Sequence, residues 1–143
     1  MTERSRISQL SGTLQAEARI DANAASADTA DEFVVFKNTF DANVKVVSVD
    51  VTFETTLTGR ATNHVSLQVL NKGTAGSGSK AVTTVKVFDD TIDAAAFVPN
   101  AQTLGAAADL TVLPGEVLTL DKAAVGNGQI VSAAVVNIGF QFA

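Results

Sequence analysis

The chain has 143 residues and no cysteine, so disulfides, thiolate metal sites and a thiol nucleophile are all excluded. A chain of this length buries roughly two-thirds of the surface its unfolded form exposes, enough for one domain with a core of its own. Fifteen acidic side chains against ten basic ones give a net charge of −5, and the bases form no run, which sets nucleic acid aside as a partner.

Met1 to Arg6 is polar and no apolar run follows it, so the expectation is synthesis and assembly inside a cell. Residues 1–32 are Ala-rich and polar. Asp21, Asp28, Asp31 and Glu32 carry negative charge with no base among them. This segment reads as an N-terminal extended arm. Ile7, Leu10 and Leu14 have helical spacing, but Leu14, Ala16, Ala18 and Ile20 alternate with Gln15, Glu17 and Arg19 at period two, which favours an added strand. With so little apolar surface, the arm is expected to order only against a neighbour.

From Phe33 to Ala143 β-branched residues alternate with polar ones between turn clusters, the pattern of an antiparallel β-sandwich. The clearest strand is 44–54. Val47, Val49, Val51 and Phe53 share one phase, Val44 and Val46 the other, and a bulge near Val46 and Val47 reconciles them. Val65, Leu67 and Val69 alternate with Ser66 and Gln68, and Val85 and Val87 with Thr84, Lys86 and Phe88, giving two half-buried strands. Between them, residues 71–79 (NKGTAGSGS) suit an exposed hairpin tip.

Residues 91–108 contain Pro99 and Gly105, which interrupt any helix, so a long connection with a short strand near Gln102 to Leu104 is expected. Strands near Leu110 to Leu113 and Val117 to Leu120 are joined through Pro114 and Gly115, the pair expected at the centre of a type II turn. Gly126 to Gly128 turns the chain again. The last strand, Gln129 to Phe142, is uncharged and apolar enough to be central to a sheet or buried between subunits. The longest uncharged stretch, Ala123 to Ala143, is interrupted by Gly126, Asn127, Gly128, Gln129, Asn137 and Gln141, too many polar groups for a membrane helix. About seven or eight strands in the body, with no long helix, match a jelly-roll-like sandwich.

Motifs for chemistry are few. Gly73 to Lys80 (GTAGSGSK) lacks the adjacent Gly-Lys-Ser/Thr of a phosphate loop and links two strands, so turn geometry accounts for its glycines. His64 is the single histidine, no serine lies in a G-x-S-x-G, and a strand-end position is the simpler role. Asp89, Asp90 and Asp93 lack the alternating ligand spacing of a calcium loop and read as a solvated turn, with Asp93 bonding local backbone. No catalytic, cofactor-binding or metal residue is assigned, and the expectation is a protein that is not an enzyme. Trp and Tyr are absent, which disfavours a carbohydrate-binding module.

The stretch VKVVSVDVTFETTLTGRATNHVSLQVLNKGTAGSGSKAVTTVKVF, then NAQTLGAAADLTVLPGEVLTLDK and the uncharged last strand, resembles the small β-sandwich decoration (cement) proteins of tailed-bacteriophage capsids. The resemblance spans roughly residues 33–143 and carries no functional residue. It implies a protein that sits outside an icosahedral shell as a dimer or trimer, the trimer favoured here, and bridges neighbouring subunits of the major capsid protein. A tail or fibre component is the rival structural reading. No cofactor, nucleic acid or membrane is implied.

Overall fold

The computed structural model describes residues 12–143, so Met1 to Arg6 and the Ile7 and Leu10 spacing lie outside the described residues. Among the described residues ten strands form two antiparallel sheets: β1 (Leu14–Ile20), β2 (Asp31–Lys37), β3 (Val44–Phe53), β4 (His64–Asn71), β5 (Lys80–Ala81), β6 (Lys86–Val87), β7 (Asn100–Ala101), β8 (Thr111–Val112), β9 (Val117–Val125) and β10 (Ala134–Phe142). One sheet runs β1-β10-β3, with the short β7 and β8 on the far side of β3; the other runs β2-β9-β4, with β5 and β6 beyond β4.

The pairs are nested. β1 pairs with β10, β2 with β9, β3 with β7 and β8, and β4 with β5 and β6. Such nesting is one long hairpin, with its tip at 72–79, rolled so that alternate pairs fall in opposite sheets. It is the strand order of a jelly roll, and the expected all-β sandwich is what the chain forms.

Residues 14–32, read from sequence as an arm ordered by a neighbour, belong to the sandwich. The whole of β1 pairs with β10, from Leu14 opposite Phe140 to Ile20 opposite Ala134, and Ile20 is fully buried. The arm's small apolar set finds its cover within the chain, and the boundary expected at 32/33 falls inside β2.

The bulge expected in β3 is present. Gly139 lies opposite Ser48 and Phe140 opposite Val46, which leaves Val47 as the extra residue. Val44 and Val46 therefore face the core together with Val49, Val51 and Phe53. A second bulge, at Val35 in β2, turns both Val35 and Phe36 inward and leaves Val34 outward.

Elsewhere the sequence misleads. The phase of 85–88 is reversed: Phe88 is fully buried and packs edge-on against Phe53 with centroids 6.0 Å apart, while Val85 is exposed. A ring offers more apolar area than a valine, so Phe88 takes the inward position. The strand expected at 102–104 lies at Asn100–Ala101, and Leu104 instead bridges Thr83. The turn at Pro114 and Gly115 forms, with Gly115 at φ +83° and Glu116 N–H donating to the Leu113 carbonyl at 3.1 Å. It joins strands of different sheets, since β8 pairs with β3 and β9 with β2 and β4.

The last strand begins at Ala134 and is central, between β1 and β3. Val136, Ile138 and Phe140 are buried within the chain, so of the two positions expected for this strand it takes the one central to a sheet.

Candidate functional site

Nested pairing gathers the connections at two ends of the sandwich. One end carries segments 21–30, 54–63, 88–99 and 126–133, where β1, β3 and β9 finish and β2, β4 and β10 begin. The loops are stitched to one another. Asn23 N–H donates to the Val131 carbonyl, Glu54 N–H to Ala133, Arg60 N–H to Phe88, and Leu57 bridges Ala94.

Phe97 is anchored by its N–H on the Phe53 carbonyl at 2.9 Å, yet its side chain is 76% exposed. Its φ is +60°, the left-handed region that bulky side chains avoid at a cost of about 1–3 kcal/mol. An exposed ring in a strained conformation recovers neither term by packing inside this chain. Val98 and Ile130 are exposed on the same end. Around them stand Asp21, Asp28, Glu54, Asp89, Asp90 and Asp93, with Arg60 in the same loops and Arg19 paired to Glu54 at 2.6 Å. This end is therefore apolar at its tips and acidic between them.

The carboxylates read from sequence as a turn sit here. Asp89 accepts from Thr91 N–H at 3.0 Å and from its hydroxyl at 2.6 Å; the hydroxyl, then the amide, hold the Asp89 carboxyl below its ordinary range, and the charge of His64 adds to this. Asp93 does not bond local backbone. It accepts the Gly59 N–H at 2.7 Å, thirty-four positions away in sequence, and so ties two loops together. Gly59 permits that approach because a Cβ there would meet the Asp89 carbonyl oxygen. Among the described residues no cluster of three or more His, Cys, Asp or Glu could hold a metal ion. His64 opens β4, buried, with no hydrogen-bond partner on Nδ1 among the described residues.

At the other end, residues 72–79 form the hairpin tip between β4 and β5, so the Gly73 to Lys80 segment runs into a strand, not a helix. Beneath the tip an open cleft of about 470 Å³ is lined by Glu32, Val34, Lys72, Thr74, Val117 and Thr119. Its carboxylate is already engaged: Glu32 accepts from the Thr119 hydroxyl at 2.6 Å and pairs with Lys72 at 3.2 Å. The Thr119 hydroxyl, with Lys72 in support, holds Glu32 below its ordinary range, whereas burial and the charge of Glu32 push Asp121 up. Lys37, Lys45, Lys72 and Lys80 make this end the more basic one.

No protein-family model matches the chain, and no curated protein does. Among the described residues, no helix is long and apolar enough to cross a membrane.

Two features escape a reading from sequence. Phe97 carries no periodic signal. Lys122 does, for it shares the parity of Leu118 and Leu120 on β9, and that phase places it inside the sandwich, 1% exposed.

Proposed function

We propose that this chain is a structural virion protein that attaches to the outside of an icosahedral phage capsid and bridges subunits of the major capsid protein, docking through the acidic end that bears Phe97. The observation that carries the reading is the strained, exposed Phe97, with Val98 and Ile130, on a loop cluster joined by backbone hydrogen bonds. The jelly-roll strand order and the sequence resemblance to capsid decoration proteins support it further. Many copies on one lattice make weak single contacts add up. Self-association as a trimer, or a dimer, is part of the proposal and rests on the resemblance. Attachment requires neither nucleic acid nor membrane.

The test is co-sedimentation of the purified chain with shells assembled from the major capsid protein encoded alongside it. Saturable binding, weakened at least tenfold by Phe97→Ser, is expected. Failure to co-sediment, or binding only to isolated tails, overturns the reading.

A further inference from the structure

Lys122 is the least expected buried group in the molecule. Burial lowers its pKa toward the neutral amine, with the charges of Asp31 and Asp21 opposing, and among the described residues it forms no ion pair. Its Nζ meets two groups: the Phe33 ring at 5.3 Å and the side-chain amide of Asn23, whose Oδ1 lies at 3.4 Å. Asn23 is itself buried and tightly held. Its Oδ1 accepts the Val131 N–H at 2.9 Å, and its Nδ2 donates to the carbonyls of Ala25 at 2.8 Å and Gln129 at 3.1 Å. Thr29 locks the same corner, its hydroxyl accepting Gln129 N–H and lying 2.6 Å from the Gln129 carbonyl oxygen.

A desolvated amine against a fixed primary amide, beside an aromatic ring and away from water, is a nucleophile facing an acyl group. We propose that Lys122 and Asn23 join in an intramolecular isopeptide bond. In its deprotonated form Nζ adds to Asn23 Cγ and forms the new C–N bond. The carbonyl electron pair moves to Oδ1, where the Val131 N–H already donates and stabilises the developing charge. When the pair returns, the Cγ–Nδ2 bond breaks, and Nδ2 departs as ammonia with the proton that Nζ gives up. Nothing is oxidised or reduced, and no co-reactant is needed.

The bond ties the β1–β2 connection to β9, closing a covalent ring around most of the rolled hairpin. In a chain without cysteine it would supply the constraint that a disulfide supplies elsewhere, acting on the unfolded state. The link is independent of what the protein docks to.

Intact-mass measurement of the purified full chain decides the matter. The expected mass is below that calculated from sequence by about 17 Da, the ammonia released in acyl transfer. Proteolysis should release a branched peptide joining the segments that contain Asn23 and Lys122. Lys122→Arg should restore the full mass, and Asn23→Asp should converge on the wild-type cross-linked mass by losing water instead. A folded wild-type chain that keeps its full mass after days at neutral and mildly alkaline pH, with no branched peptide, overturns the proposal and leaves a hydrogen bond between an amine and an amide.

Discussion

At the scale of single residues, Phe97 lets the proposed docking be tested apart from stability. A glycine at φ +60° carries no steric penalty, so Phe97→Gly relieves strain while enlarging the entropy of the unfolded chain by about 0.5–1 kcal/mol. The relief of about 1–3 kcal/mol matches or exceeds that loss, and the exposed ring contributes little to the core. Phe97→Gly is therefore expected to melt within a few degrees of the wild type, or above it, while losing shell binding. A large fall in melting temperature would show that Phe97 is part of the fold. Asp121 and Glu32 give a second test with opposite signs. The pKa of Asp121 is raised above its ordinary 3.8 by burial and by Glu32, so the folded state bears a penalty that is full at neutral pH and disappears as pH falls below that value. Asp121→Asn should stabilise by about 0.5 kcal/mol at neutral pH, the scale of a partly solvated charge interaction, and the gain should vanish near pH 3. The Glu32 pKa is lowered, so its favourable contribution is full above its ordinary 4.5 and is lost as pH falls through the lower folded value. Denaturant titrations of Asp121→Asn and Glu32→Gln across pH 3–7 check the two directions.

Among the elements, what could be read from sequence was local phase. The break between Val46 and Val47 marks a bulge because one added residue is the only way to keep five apolar side chains on one face. The alternation from Leu14 to Ile20 marks a strand for the same reason. The partner of that strand was not legible, since Leu14 and Phe140 meet only after the whole chain has rolled up. Phe88 was assigned to the wrong face because local alternation could not weigh a distant ring: Phe53 settles which residue turns inward. Asn23 gave no sign of its role, which depends on β9 and on the segment before β10. The position of β1 leads to an expectation about truncation. Removing the chain through Ile20 deletes a fully buried side chain, worth about 2–5 kcal/mol, and bares the backbone edge of β10, whose inward face is apolar. That truncation should melt far below the full chain and aggregate. A truncation ending before Thr13 keeps every strand pair among the described residues, and its melting temperature should stay close to that of the full chain.

Across the whole molecule, the rolled hairpin sorts charge along its length. The end with Phe97 carries Asp21 and Asp28 on one loop and Asp89, Asp90 and Asp93 on another, with Glu54 beside them, whereas at the opposite end Lys37, Lys45, Lys72 and Lys80 stand against Asp41, Asp109 and Glu116. The asymmetry does not follow the order of charges along the sequence, where residues 55–88 hold four bases and no acid and residues 89–121 six acids and no base; it emerges because nested pairing sends alternate connections to opposite ends. If the acidic end docks, its partner face is basic, and the orientation of the whole sandwich on the shell is fixed by electrostatic complementarity before the apolar tips engage. Reversing one exposed charge at each end tests this directly. Asp90→Lys should slow association with shells and weaken binding several-fold at low salt, with the difference shrinking as ionic strength rises and the Debye length falls below about 10 Å. Lys80→Glu, on the far end, should leave both rate and affinity unchanged within about twofold, since it lies beyond the range of screened contact with the shell. Association rates measured by light scattering at two salt concentrations distinguish the cases. A larger effect from Lys80→Glu than from Asp90→Lys would mean that the molecule stands the other way round, with the hairpin tip against the shell and Phe97 facing out.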